Sequence, residues 1–126
     1  MFQVTAGVDS VSIARMEKSM ERESFCNRIF SEQEREYFSG KHRPAQSAAG
    51  HFAAKEAFLK AMGTGVINMN LRDIGVLHDE QGAPYFVLTD WAAELCGDRE
   101  LALSITHEDN IAIAFVVAVR QKENTL

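Results

Sequence analysis

The stretch from Pro44 to Met62 constrains this 126-residue chain most, because it is alanine-rich, opens on a proline and closes on Gly63. Alanine is the strongest helix former. Proline suits a first turn, where its missing donor would be unpaired anyway, and glycine suits the residue just past a helix end. The pattern predicts one long helix over 44–62. On a 100° wheel started at Phe52, residues Ala45, Ala48, Ala49, Phe52 and Leu59 fall between about −40° and 60°. Glu56 falls at about 40°, inside the same stripe. An ionised carboxylate there needs a cation beside it. Two candidates follow: Lys60 one turn on, paired at the rim of the core, or a bound metal ion.

The remaining elements arrange themselves around that helix. Phe2, Val4, Ala6 and Val8 alternate, so residues 2–8 read as a strand ended by Asp9-Ser10. Residues 10–23 read as a polar helix with Val11, Ile13 and Met16 on its apolar side. Ser31-Glu32-Gln33-Glu34 is a capping box that starts a short helix through about Phe38. Residues 66–71 read as a loop, and 74–78 and 85–88 as strands flanking a turn. Thr89 or Asp90 caps a helix to Cys96, and 101–107 with 110–119 form a terminal hairpin. Both parities of the last strand are apolar, which predicts a central strand covered on both faces. A polar tail from Gln121 is expected to fray. The order favours a single α+β domain, an antiparallel sheet packed on the long helix.

Composition removes several classes of function. With 13 basic and 18 acidic side chains the net charge is −5, which opposes general nucleic-acid binding. No apolar run reaches the roughly 18 residues that span a bilayer. The start lacks the basic-then-apolar pattern of a signal peptide. Cys26 and Cys96, far apart and outside metal-ligand spacing, read as reduced thiols of a cytoplasmic protein.

Beyond Glu56, few residues stand out chemically. Asp9, between strand and helix, is either an N-cap or a carboxylate that converges with Glu56 on Mg²⁺, two carboxylates with phosphate oxygens and waters being a normal set for that ion. His107, at the hairpin turn, is a structural histidine, a base or a phosphate donor. Gly63-Thr64-Gly65 is no P-loop, yet its amides could approach a phosphate. Arg15, Lys18 and Arg22 share one helix face, either solvated among glutamates or set to dock an acidic partner.

Two segments carry a resemblance. Gly7-Val8-Asp9-Ser10-Val11-Ser12-Ile13-Ala14-Arg15 resembles the first signature of the holo-acyl-carrier-protein synthases, and the fourteen residues Phe52 to Gly65 are similar to their central one. Ile29 to Glu34, Gly82-Ala83-Pro84 and Leu103 to His107 match more weakly, in the right order. The resemblance implies a Mg²⁺-dependent 4′-phosphopantetheinyl transferase that moves the phosphopantetheine arm of coenzyme A to a serine of apo acyl carrier protein. Adenosine 3′,5′-bisphosphate would be released, and a homotrimer would form its sites between subunits. Carried over, Asp9 and Glu56 ligate Mg²⁺ and Lys60 neutralises the attacked phosphoryl group. Gly63, Thr64, Gly65, Pro84 and His107 line the coenzyme pocket, and Arg15 and Arg22 grip the acidic carrier. The serine proton would go to a metal-bound water, Glu56 or His107, a carboxylate-relayed water being favoured. His51 replaces the family's usual arginine at a coenzyme phosphate, so affinity should be weaker or rise below about pH 6.5 as His51 protonates. Thr106 replaces a common serine and keeps its hydroxyl. The rival readings are a non-catalytic coenzyme A or carrier-protein binding module and a structural oligomerisation domain.

Overall fold

The computed structural model describes residues 1–65 and 70–122. Its order is β1 (Phe2–Ser12), α1 (Ile13–Ser19), α2 (Glu23–Ile29), α3 (Glu32–Ser39), α4 (Pro44–Ala61), a 3₁₀ turn (Leu71–Asp73), β2 (Ile74–His78), β3 (Pro84–Leu88), α5 (Asp90–Cys96), β4 (Glu100–Glu108) and β5 (Ile111–Gln121). The strands form two antiparallel sheets, β1-β5-β4 and β2-β3. β5 is central as expected, pairing β1 from Phe2↔Gln121 to Ser12↔Ile111 and β4 from Glu100↔Val119 to Glu108↔Ile111.

Helix α4 lies against β1 and β5 on one side and against α1 and α3 on the other. The expected single apolar stripe is therefore too narrow. Ala48, Ala49, Phe58 and Leu59 join Ile13, Met16, Phe30 and Phe38 in one cluster. Ala53, Ala54, Ala57 and Ala61 meet Ala114, Val116 and Ala118 of β5 in another. Small side chains let helix and sheet approach closely, and Gly7 takes this furthest. A Cβ at Gly7 would stand 2.0 Å from the Ala57 carbonyl oxygen.

Two boundaries differ from the sequence reading. β1 runs on through Ser12, because the β5 ladder continues to that residue. The helix expected over 10–23 is instead two helices. Ser12 caps α1 by accepting from the Arg15 amide, and the chain turns at Met20–Arg22, where Arg22 is extended before α2. α2 escaped the sequence reading altogether. The capping box at Ser31 and Glu34 is complete. Thr89 occupies the cap position of α5, but its hydroxyl donates to Asp73 Oδ1 at 2.8 Å. The expected loop at 66–71 falls largely outside the described residues; Leu71 opens the 3₁₀ turn. Gln121 closes β5 and the Lys122 amide donates to the Met1 carbonyl, so the expected fray does not begin at Gln121. Residues 123–126 lie outside the described range.

Ala112, Ala114, Val116 and Ala118 are buried against α4, but the opposite face of β5 is open. Phe2, Val4, Val8, Ile111, Ile113 and Phe115 are all exposed, Phe2 at 69% and Phe115 at 41%. Among the described residues of one chain, β5 is covered on one face only.

Candidate functional site

Asp9 reaches the site from the middle of a strand rather than from its end. It pairs with Ala114 of β5 and faces α4, and Ser12, not Asp9, is the helix cap. The glycine at position 7 brings this part of β1 onto α4, where Glu56 and Lys60 lie one turn apart. Lys60 Nζ donates to Asp9 Oδ1 at 3.1 Å and to the Val8 carbonyl at 2.9 Å. The Glu56–Lys60 ion pair that spacing alone allowed is thus replaced by an Asp9–Lys60 pair. Burial, then the Asp9 charge, raises the Glu56 carboxyl above its ordinary value, and Lys60 offsets this only in part. Two carboxylates close enough to repel, one lysine between strand and helix, and a half-buried position favour an added cation. Among the described residues no group of three or more metal-ligating side chains gathers. Two carboxylates do suit an ion that fills its remaining positions with phosphate oxygens and water.

Past Lys60 the helix ends in a Schellman arrangement. The Gly63 amide donates to the Lys60 carbonyl, the Thr64 amide to the Leu59 carbonyl, and Gly63 has φ +77°. Both amides are consumed by capping. Of the Gly-Thr-Gly amides expected to face a phosphate, those two are already engaged.

A second locus lies towards the start of α4. A cavity of about 210 Å³ is lined by Tyr37, Ser47, His51, His78, Pro84 and His107, among others. It brings together three of the expected coenzyme-binding residues, His51, Pro84 and His107; Lys60 and Gly63–Gly65 are not in its lining. Gly50 admits β4 here, since a Cβ would lie 2.9 Å from Ile105 Cγ2 and 3.6 Å from His107 Nε2. His107 is exposed at the rim, and burial together with the Arg43 charge lowers its pKa.

His51 is not an open-ended substitute for arginine. It is 1% exposed, with Nδ1 2.8 Å from Glu34 Oε2 and Nε2 2.9 Å from His78 Nε2. Burial holds its pKa below the ordinary imidazole value despite the Glu34 contact. The expectation that His51 alone gains charge below about pH 6.5 is therefore set aside.

Glu34, Lys55 and His78 were missed by the site reading. Lys55 is fully buried and donates to Glu34 Oε1 at 2.7 Å, the Ile74 carbonyl at 2.6 Å and the Leu71 carbonyl at 3.1 Å. Burial pushes the Glu34 carboxyl up, but the His51 hydrogen bond and the Lys55 charge outweigh it and hold it below the usual carboxylate range. Lys55 was detectable in principle. On the Phe52 wheel it sits at about −60°, just beside the apolar stripe.

Arg15, Lys18 and Arg22 do gather, lining an open groove of about 390 Å³ with Ser19 and Glu21. Arg22 reaches it as the cap residue of α2 and not as part of α1.

The family model of the 4′-phosphopantetheinyl transferase superfamily matches residues 5–116. The chain belongs to that superfamily. It is 41% identical over 115 residues to the holo-(acyl-carrier-protein) synthase of Clostridium tetani, covering 88% of this chain and 91% of that protein. It is 35% identical over 126 residues to the corresponding synthase of Thermoanaerobacter sp. (strain X514), covering 97% and 91%. Among solved structures of superfamily members, it is similar to the Chronobacterium ammoniagenes synthase in complex with coenzyme A, with TM-score 0.83, 32% identity, and 96% and 99% of the two chains covered. The Bacillus anthracis synthase gives TM-score 0.81 at 33% identity over 96% and 100%.

Proposed function

We propose that this chain transfers the 4′-phosphopantetheine group of coenzyme A to a serine of apo acyl carrier protein. The observation that carries this reading is the convergence of Asp9, Glu56 and Lys60, from β1 and α4, in a chain whose relatives are holo-(acyl-carrier-protein) synthases. The serine oxygen forms a bond to the phosphorus that bears pantetheine. The bond from that phosphorus to the oxygen shared with the adenosine half breaks, and adenosine 3′,5′-bisphosphate leaves. Mg²⁺ bound by Asp9 and Glu56 would neutralise the diphosphate. Lys60, already poised between the Val8 carbonyl and Asp9, turns its ammonium to the phosphoryl oxygens, where charge stabilisation does most of the catalytic work. The serine proton leaves through water held against the carboxylates. His107 suits a binding role better than a base, because within the chain it stands two strands across and two residues along from Asp9, about 12 Å away.

The Arg15–Lys18–Arg22 groove is the docking surface for the acidic carrier, and the apolar outer face of β1-β5-β4 is the contact that assembles a homotrimer. Cys26 and Cys96 are free thiols, in keeping with the cytoplasm. No helix among the described residues is long and apolar enough to cross a membrane. The test incubates the protein with coenzyme A, Mg²⁺ and apo carrier protein and reads the intact mass of the carrier. A phosphopantetheine increment on the carrier serine is expected. Coenzyme A binding without any increment would favour a binding module instead.

A further inference from the structure

Three hydrogen bonds in series join Glu34 to the β2–β3 turn through two imidazole rings. His51 Nδ1 lies 2.8 Å from Glu34 Oε2, His51 Nε2 lies 2.9 Å from His78 Nε2, and His78 Nδ1 lies 3.2 Å from the Gly82 carbonyl oxygen. A carboxylate and a carbonyl only accept. Each end of the series therefore needs an N–H from a ring, and the middle contact needs a third hydrogen. Two neutral imidazoles carry only two between them. The series is complete when the pair holds one proton more.

We propose that His51 and His78 share one extra proton and that its charge binds a phosphate group in the cavity they line with Tyr37, Pro84 and His107. The assignment rests on the donor-substrate reading above, which supplies a phosphorylated ligand. Glu34 stays a carboxylate, because Oε1 accepts from both Lys55 and the Ser31 amide. The charge settles on His78, the half-buried ring, while His51 stays neutral in the core with its Nδ1–H on Glu34. Tyr37 stacks on His78 with centroids 4.4 Å apart and planes 10° apart, presenting a ring face that favours a cation.

The other charges around the pair are accounted for. On α4, Lys55 and Glu34 of α3 offset each other, and Asp73 of the 3₁₀ turn acts on Lys55. Lys41, after α3, lies 4.5 Å over the Tyr37 ring. On the turn, the Asp79 carboxylate is taken by the Gln81 and Ala83 amides. From β4, His107 faces the cavity with Arg43 acting on it. His107 is the other imidazole that lines this cavity, so a variant of His78 separates the pair from it.

Ring-nitrogen NMR of ¹⁵N-labelled protein from about pH 8 to about pH 5.5, the span of an imidazole titration, counts the protons directly. At the acid end three of the four ring nitrogens of His51 and His78 should be protonated, with His51 Nδ1 protonated throughout. In His78→Gln, His51 should remain a neutral ring across the range. Coenzyme A affinity, measured calorimetrically, should strengthen on acidification about tenfold more in the wild type than in His78→Gln, the effect of one added positive charge beside a phosphate. Two neutral rings at the acid end, or equal pH slopes in both proteins, would overturn the proposal. Absence of coenzyme A binding at every pH would overturn the donor-substrate reading and the phosphate assignment with it, whereas the proton count is read from the spectra alone.

Discussion

Glu34 and Lys55 are the side chains whose loss the fold should feel most. Both are fully buried and their charges meet at 2.7 Å. Removing one partner leaves the other charged and unpaired in the core, so Lys55→Met should cost about 3–5 kcal/mol in urea unfolding. The pair also sets an acid limit. Because the folded Glu34 carboxyl lies below its ordinary 4.5, its contribution is fully present above that value and is lost as pH falls through the folded value. The urea midpoint should drop on acidification in that window, and the drop should be smaller in Glu34→Gln. Glu56 behaves oppositely. Its carboxyl is raised by burial and by Asp9, so the ionised form is a burden to the empty fold. Glu56→Gln should keep or raise the thermal midpoint while lowering transfer by about a hundredfold or more. The sequence exposed Glu56 because a lone carboxylate interrupts an apolar stripe. It hid Glu34, because the same residue satisfies a capping box and nothing local says that its second oxygen meets His51.

The elements divide in the same way. α4, α5, the two hairpins and the Ser31 capping box were legible, since caps, glycines and periodicity agree there. β1 was read short and α1 long, because the limit between them is set by pairing with β5, a partner about a hundred residues away. The same distance effect made Asp9 look like a cap. Where β1 crosses α4, Gly7 is the element-scale constraint. In Gly7→Ala, a Cβ 2.0 Å from the Ala57 carbonyl oxygen must push strand and helix apart. About 3 kcal/mol of stability should be lost, with transfer activity falling alongside as Asp9 moves from Lys60. The basic groove belongs to this scale too, being built from α1 and the cap of α2. Arg15→Glu should raise the KM for carrier protein and flatten its salt dependence, with little change in coenzyme A affinity. Unchanged carrier KM would remove the groove from the docking surface.

At the scale of the molecule, the open apolar face of β1-β5-β4 is what a single chain leaves unfinished. The sequence announced it through the double apolar parity of β5, which would need a cover on both sides. One cover is α4; the other is not supplied by the described residues of the chain. In the proposed trimer a second and third copy would cover it, and Phe115→Glu, at the exposed centre of that face, should then shift the sedimentation coefficient to that of a monomer. A wild-type monomer at micromolar concentration would contradict the trimer.

If Asp9 and Glu56 grip the diphosphate through one divalent ion, as proposed, calorimetric titration of coenzyme A with and without Mg²⁺ will show it. Binding should require Mg²⁺ in the wild type and lose that requirement's benefit in both Asp9→Asn and Glu56→Gln, each with an intact circular dichroism spectrum. Binding of equal strength with and without Mg²⁺, or undiminished Mg²⁺-dependent binding in both variants, would contradict it.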